Sequence, residues 1–331
     1  MDDPNTATAS AADQQPLLEI DGLSRYFDLG KGRRVHAVDG VSLNIGAREI
    51  VGLVGESGSG KSTLGKTLIG LHDKTAGSVR WRGETLPARY RAADFRRLAK
   101  SMQMIFQDPV SSLDPRLPVS EVLAEPLRVW KRGNQVEIDA KIDELLNAVN
   151  LDPKVVRDRR SYEFSGGQCQ RISIARALAI EPKLLVCDEP VSSLDVSIQA
   201  QILNILQDMK QRYGLSLLFI SHDLSVVRTI SDRIVVMYLG KVCEVATPDT
   251  LSERPRHHYT HALVSSVPIP DPTKKNRRAI LQGEPPSPTN PPSGCRFRTR
   301  CPAATELCAT EEPQLREMGG GDYVACHHPR A

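Results

Sequence analysis

The chain is poor in aromatic residues, 5% of 331, and holds no apolar run near the 18 or so residues that span a bilayer. The apolar stretches it does contain, such as Leu215–Ile220 and Ile234–Leu239, are strand-sized. An excess of one charge is also missing. Its 43 Lys+Arg against 40 Asp+Glu leave a net charge of +3, too little by itself to mark a nucleic-acid or membrane-surface protein. The first residues, Met1-Asp2-Asp3-Pro4-Asn5, have neither a basic flank nor an apolar stretch, so no secretory signal is expected. Together these absences predict a soluble, intracellular protein that reaches a membrane only through a partner. What is present excludes a disordered chain: 40% hydrophobic and 25% charged residues, over a length that suits about two domains.

Residues 1–15 are small, polar and aperiodic and read as a disordered tail. From Leu17 to about Ile45 the pattern is strand-like, and Glu49–Val54 is a short apolar run entering a glycine-rich turn and a helix from Lys61. Residues 93–165 are more polar and helical in pattern. Within them Ile138, Ile142, Leu145, Leu146 and Val149 share one helical face. After Lys183 a strand (Leu184–Cys187), a helix (Val196–Arg212), a strand (Ser216–Ile220), a helix near Ser225–Ile230 and a strand pair over Arg233–Val245 follow. Such alternation predicts a parallel sheet covered on both faces, with the polar helical block inserted between strands. A boundary falls near 251–258. Beyond it Pro285, Pro286, Pro288, Pro291 and Pro292 forbid helix or central strand, so a small loop-rich unit is expected.

Gly55-Glu56-Ser57-Gly58-Ser59-Gly60-Lys61-Ser62 fits G-x-x-x-x-G-K-[ST] between a strand and a helix. The glycines let backbone N–H groups turn inward, and the helix start adds partial positive charge for phosphates. Lys61 is placed to reach β- and γ-phosphates and the Ser62 hydroxyl to ligate Mg²⁺. Leu184–Glu189 delivers two carboxylates at a strand's C-terminal edge. Asp188 suits Mg²⁺, and Glu189 suits orienting or deprotonating an attacking water.

Ser165-Gly166-Gly167-Gln168, with the helix that follows, resembles the signature motif of the ATP-binding cassette (ABC) family, and the other motifs stand in family order. Phe164 occupies a position where leucine is commoner. The resemblance implies that Phe27, with Tyr26 as neighbouring candidate, stacks on adenine. It implies that Gly55–Thr63, including Thr63, hold ATP, and that Gln107 senses Mg²⁺ and meets the membrane partner. Asp195, in Ser192-Ser193-Leu194-Asp195, belongs to a loop crossing between subunits, and His222 touches the γ-phosphate. Metal-binding roles fall to Ser62, Gln107 and Asp188; catalytic roles fall to Glu189, His222 and Gln107. A second glycine-rich helix start is redundant for the same nucleotide, so Ser165–Gln168 reads as an anion site offered to ATP on a facing subunit.

A narrower resemblance rests on Gly55-Glu56-Ser57-Gly58, Gln107-Asp108-Pro109, Ser111-Ser112-Leu113-Asp114-Pro115, His258-Tyr259-Thr260-His261-Ala262-Leu263, Gly283-Glu284-Pro285-Pro286 and Gly294-Cys295-Arg296-Phe297. It is to ATPase subunits of oligopeptide/dipeptide importers, a group that also handles nickel. It implies an α/β P-loop NTPase fold with a mostly parallel sheet, an antiparallel β subdomain, an inserted helical subdomain (about 93–165) and a C-terminal domain (255–331) after a nucleotide-binding domain (16–254). It implies ATP hydrolysis at the cytoplasmic face of the membrane. The expected partners are a non-identical second ATPase, two permeases and an extracytoplasmic peptide-binding protein, with no nucleic acid. The rival readings are a soluble cassette ATPase acting on nucleic acid or ribosomes, and an importer of nickel or another small solute. The first would favour long coiled-coil insertions, paired cassettes or a strongly basic surface, none of which is seen.

Cys169, Cys187 and Cys243 are scattered and suit buried apolar roles. Cys295, Cys301, Cys308 and Cys326 form C-x5-C-x6-C-x17-C, unlike the C-x2-C pairs of structural zinc sites. A [4Fe–4S] cluster, as in some relatives of this importer group, is one reading; zinc and free thiols are the others.

Overall fold

Strands whose residues alternate between two buried faces build the centre of the molecule. The computed structural model describes residues 15–267 and 283–331, so the expected disordered tail lies almost wholly outside the described residues. The elements run β1 (Leu18–Asp28), β2 (Arg34–Ile45), β3 (Ile50–Val54), α1 (Lys61–Leu68), β4 (Ala76–Trp81), β5 (Glu84–Thr85), α2 (Ala92–Ala99) and β6 (Met102–Ile105). Then come α3 (Val119–Val129), α4 (Gln135–Ala148), α5 (Pro153–Val156), α6 (Gly166–Leu178), β7 (Leu184–Asp188), α7 (Val196–Tyr213), β8 (Ser216–Ser221) and α8 (Leu224–Ile230). The chain ends with β9 (Arg233–Tyr238), β10 (Lys241–Ala246), α9 (Pro248–Glu253), α10 (His258–Ser266), α11 (Leu307–Thr310), β11 (Arg316–Gly319) and β12 (Asp322–Val324).

The larger sheet has the order β11-β12-β10-β9-β3-β8-β7-β6, and its β9-β3-β8-β7-β6 part is parallel. Alternation explains why its strands are apolar throughout. Leu185, Leu217, Phe219 and Val236 face one core, which also receives the helical insert, while Val186, Leu218, Ile220 and Val235 face a second core under α1 and the antiparallel sheet. Each such fully buried aliphatic side chain contributes about 1.5–3 kcal/mol. The smaller antiparallel sheet, β2-β1-β4-β5, lays Leu18, Leu23 and Val79 onto that second core.

Two features depart from the sequence reading. The block over 93–165 is interrupted by β6, which pairs with β7 at the sheet edge; its four residues are too few for periodicity to separate strand from helix. The tail, expected as a unit of its own, returns to the large sheet, where β12 pairs with β10 through Glu244↔Val324 and Val245↔Tyr323. The face Ile138, Ile142, Leu145, Leu146 and Val149 is buried as the 3.6-residue period requires.

Candidate active site

Strand β3 ends in the glycine loop because Gly60 can take φ 102, where a Cβ would lie 1.9 Å from the Ala37 carbonyl oxygen. The turn folds buried Lys61 back onto its own loop, its Nζ donating to the carbonyls of Gly55 at 2.8 Å and Glu56 at 3.0 Å. Burial pushes the Lys61 amine down, against the pull of Glu189, Asp188 and Glu56. Those carbonyls are partners that a phosphate, a far better acceptor for an ammonium, can displace. Ser57 and Gly58 are exposed at the loop's tip, and Ser59 is buried with its carbonyl accepting the Gly240 N–H at 2.8 Å. Thr63 sits in the first turn of α1 and accepts, through its carbonyl, the Thr67 hydroxyl at 2.7 Å.

The loop and the end of β7 meet. The Ser62 hydroxyl donates to Asp188 Oδ1 at 2.6 Å, and Lys66 Nζ lies 4.0 Å from Oδ2. Asp188 is 1% exposed. Its burial raises its pKa, while the Ser62 hydrogen bond and the two lysines lower it. Magnesium fits this pair, a hydroxyl and a carboxylate oxygen being hard donors of the kind it takes.

Glu189 follows immediately, with φ 47, a region that costs a non-glycine residue about 1–3 kcal/mol and persists only where surroundings impose it. Its Oε2 lies 3.2 Å from Gln107 Nε2 and 3.2 Å from His222 Nδ1. Gln107 and His222 come from the ends of β6 and β8, so three neighbouring strand ends deliver one constellation.

Ser165 caps α6: its hydroxyl accepts the Gln168 N–H at 3.3 Å, and the Gln168 side chain accepts the Ser165 N–H at 3.0 Å. Ser165 and Gly166 are exposed, whereas Gly167 is buried against the start of α7, where an added Cβ would lie 2.6 Å from Ile198 Cγ2. Exposed Asp195 caps α7 through the Ile198 N–H at 3.0 Å. The structure therefore joins the signature to the Asp195 loop. Phe27 is half-buried, with the Arg25 guanidinium 4.4 Å from its centroid and His72 edge-on at 5.2 Å. Tyr26, the other candidate, commits its hydroxyl to Asp39 at 2.6 Å.

The expected [4Fe–4S] site is not supported. Cys295, Cys301, Cys308 and Cys326 are free thiols that come into electrostatic range of one another, and Cys243 joins Cys295 and Cys326. Yet among the described residues no set of three or more His, Cys, Asp or Glu side chains is arranged to hold a metal ion. Burial pushes the Cys295 thiol up to about 11 and raises Cys301 and Cys326.

Sequence reasoning missed a second ring around the phosphate loop. The Glu56 N–H donates to the Tyr259 hydroxyl at 2.8 Å, and Arg300 Nη1 donates to the Glu56 carboxylate at 2.9 and 3.2 Å. A cleft is bounded by Glu56–Ser59 on one side and Glu284–Pro288 on the other. Sequence separations above 200 residues left no local signal for these contacts.

Comparison with known proteins shows the family. Residues 38–192 match the family model described as ABC transporter, and residues 243–308 match one described as oligopeptide/dipeptide transporter, C-terminal region. The oligopeptide transport ATP-binding protein OppF of Salmonella typhimurium is 49% identical over 310 residues, covering 90% of this chain and 92% of that protein. OppF of Escherichia coli shows the same identity and coverage. Among solved structures, the ATP-binding cassette MJ0796, a dimer in a post-hydrolysis state bound to ADP and phosphate, aligns with a TM-score of 0.64 at 26% identity, covering 70% of this chain and 98% of that one.

Proposed function

As a member of the ABC transporter family, in the branch of the oligopeptide transport ATP-binding proteins, this chain is one we propose to be the ATPase subunit that powers uptake of di- or oligopeptides. The observation that carries the catalytic part is the Glu189 carboxylate, gripped by Gln107 and His222 next to the Ser62–Asp188 pair. Lys61 and the loop N–H groups bind the β- and γ-phosphates, and Phe27 stacks on adenine. Ser62, Asp188 and Gln107 would hold Mg²⁺, which when bound neutralises charge on the phosphates. Glu189 takes a proton from the attacking water, and His222 fixes that carboxylate and reaches the γ-phosphate.

The exposed Ser165–Gly166 helix start serves the nucleotide on a facing ATPase subunit, which we take to be a related, non-identical chain. MJ0796 supports the paired arrangement, being a dimer of cassettes. ATP held between two chains draws them together, and hydrolysis releases them, so binding energy becomes relative motion. Two permease subunits and an extracytoplasmic peptide-binding protein complete the assembly, docked at the cytoplasmic face of the membrane. Among the described residues no helix is long and apolar enough to cross a membrane.

The test is reconstitution with those permeases in vesicles. Lys61→Ala in this chain should abolish ATP-driven peptide uptake while the assembly stays intact. Uptake at the wild-type rate would refute the reading.

A further inference from the structure

We propose that the tail clamps this chain's own nucleotide pocket, with Arg300 and Tyr259 as positioning residues for the phosphate loop; this rests on reading Gly55–Thr63 as the phosphate site. Glu56 puts a carboxylate on a loop built to receive polyanions, where its charge opposes binding. Arg300 neutralises it: the guanidinium, 7% exposed, donates to both carboxylate oxygens at 2.9 and 3.2 Å. Tyr259 holds the same residue by its backbone, accepting the Glu56 N–H at 2.8 Å. The Tyr259 ring is fully buried and packs against Tyr238 and Phe297, with centroids 4.7 and 5.4 Å away.

The tail also grips the other side of the pocket. Arg296 donates to Asp39 and to the Leu239 carbonyl, and Asp39 accepts the Tyr26 hydroxyl at 2.6 Å, next to Phe27. The His36 N–H donates to the Pro288 carbonyl at 2.9 Å. One region of chain thus fixes both the phosphate loop and the β1–β2 hairpin, and so the span between the phosphate and base subsites. A pair of contacts serving only to fasten the tail would need neither a carboxylate at the anion site nor a buried guanidinium to cancel it.

The experiment is Mg-ATP binding by the full-length chain, by calorimetry, for Arg300→Ala, Glu56→Gln, their combination, and Lys61→Ala. Arg300→Ala should bind about ten-fold more weakly, the usual scale for a lost charge-assisted hydrogen bond. Adding Glu56→Gln should recover most of that loss, because the uncompensated charge is gone. A merely fastening role predicts no recovery, and a double variant as weak as Arg300→Ala overturns the clamp. So does Arg300→Ala binding within two-fold of wild type while Lys61→Ala has lost binding. If Lys61→Ala itself binds normally, the phosphate-site reading fails and the clamp falls with it. Should Arg300→Ala not fold, Tyr259→Phe, which keeps the ring and removes the acceptor, should weaken binding several-fold; unchanged affinity there overturns the proposal.

Discussion

His222 Nδ1 lies 3.2 Å from Glu189 Oε2, the same oxygen that Gln107 approaches from the neighbouring strand end. In the proposed mechanism this carboxylate takes the proton of the attacking water. Replacing Glu189 by Gln keeps size and hydrogen bonding but removes basicity. Turnover should fall by about 10²–10⁴-fold, the usual share of general base help, with ATP affinity close to wild type. Phosphate release and nucleotide binding, measured on the same preparation, check this. His222→Ala should lower turnover in the same direction, since it frees the carboxylate.

Asp188 should set the magnesium requirement. Its buried carboxylate is partnered by Ser62 at 2.6 Å, so Asp188→Asn leaves an amide of similar shape with no charge for a divalent ion. The Mg²⁺ concentration giving half-maximal hydrolysis should rise by about ten-fold or more, as expected when about 1.4 kcal/mol of metal binding is lost. A magnesium titration of ATPase activity reads it directly.

Gly167 should tolerate no side chain. An added Cβ would meet Ile198 Cγ2 at 2.6 Å, and the β-branched neighbour has little rotamer freedom to yield. Gly167→Ala should cost about 1–3 kcal/mol, the range for overpacking, and shift the exposed signature turn relative to Asp195. Thermal unfolding reads the first effect and ATPase activity of the assembled transporter the second.

Acid should weaken the fold through His257. This side chain is 2% exposed, and its Nδ1 accepts the Tyr259 N–H at 3.1 Å. Burial, with the charge of His258, depresses its pKa from 6.5 to about 3. Between those values the unfolded chain binds a proton that the folded chain refuses, so stability falls as pH drops from about 6.5, by up to ~1.4 kcal/mol per pH unit from this group. His257→Asn keeps a capping acceptor and cannot titrate. Its melting temperature should decline less than wild type between pH 7 and pH 5.

Much of this was legible in the sequence where the signal is local. Gly55–Ser62 carries its own turn, and Ile138, Ile142, Leu145, Leu146 and Val149 carry their own period, so loop and helix follow from short windows of chain. The meeting of Gln107, Glu189 and His222 was legible only through the family pattern, because three parallel strands must first lie side by side. The β12–β10 pairing and the Arg300–Glu56 contact were not legible at all: each joins residues far apart in sequence, with no periodicity to announce it. The tail cysteines show the opposite failure. Four of them close together in the tail, with the importer relatives, left a cluster, zinc and free thiols open, and sequence spacing does not determine how the thiols are arranged in space.

The central claim is that two chains share each nucleotide, and the structure of the complete assembly trapped with Glu189→Gln and Mg-ATP measures it most directly. The account predicts Ser165 Oγ and the Gly167 N–H within hydrogen-bond reach, about 3 Å, of the γ-phosphate held by the facing ATPase subunit. A triphosphate seated in the trapped assembly with Ser165 and Gly167 remote from any phosphate would contradict it.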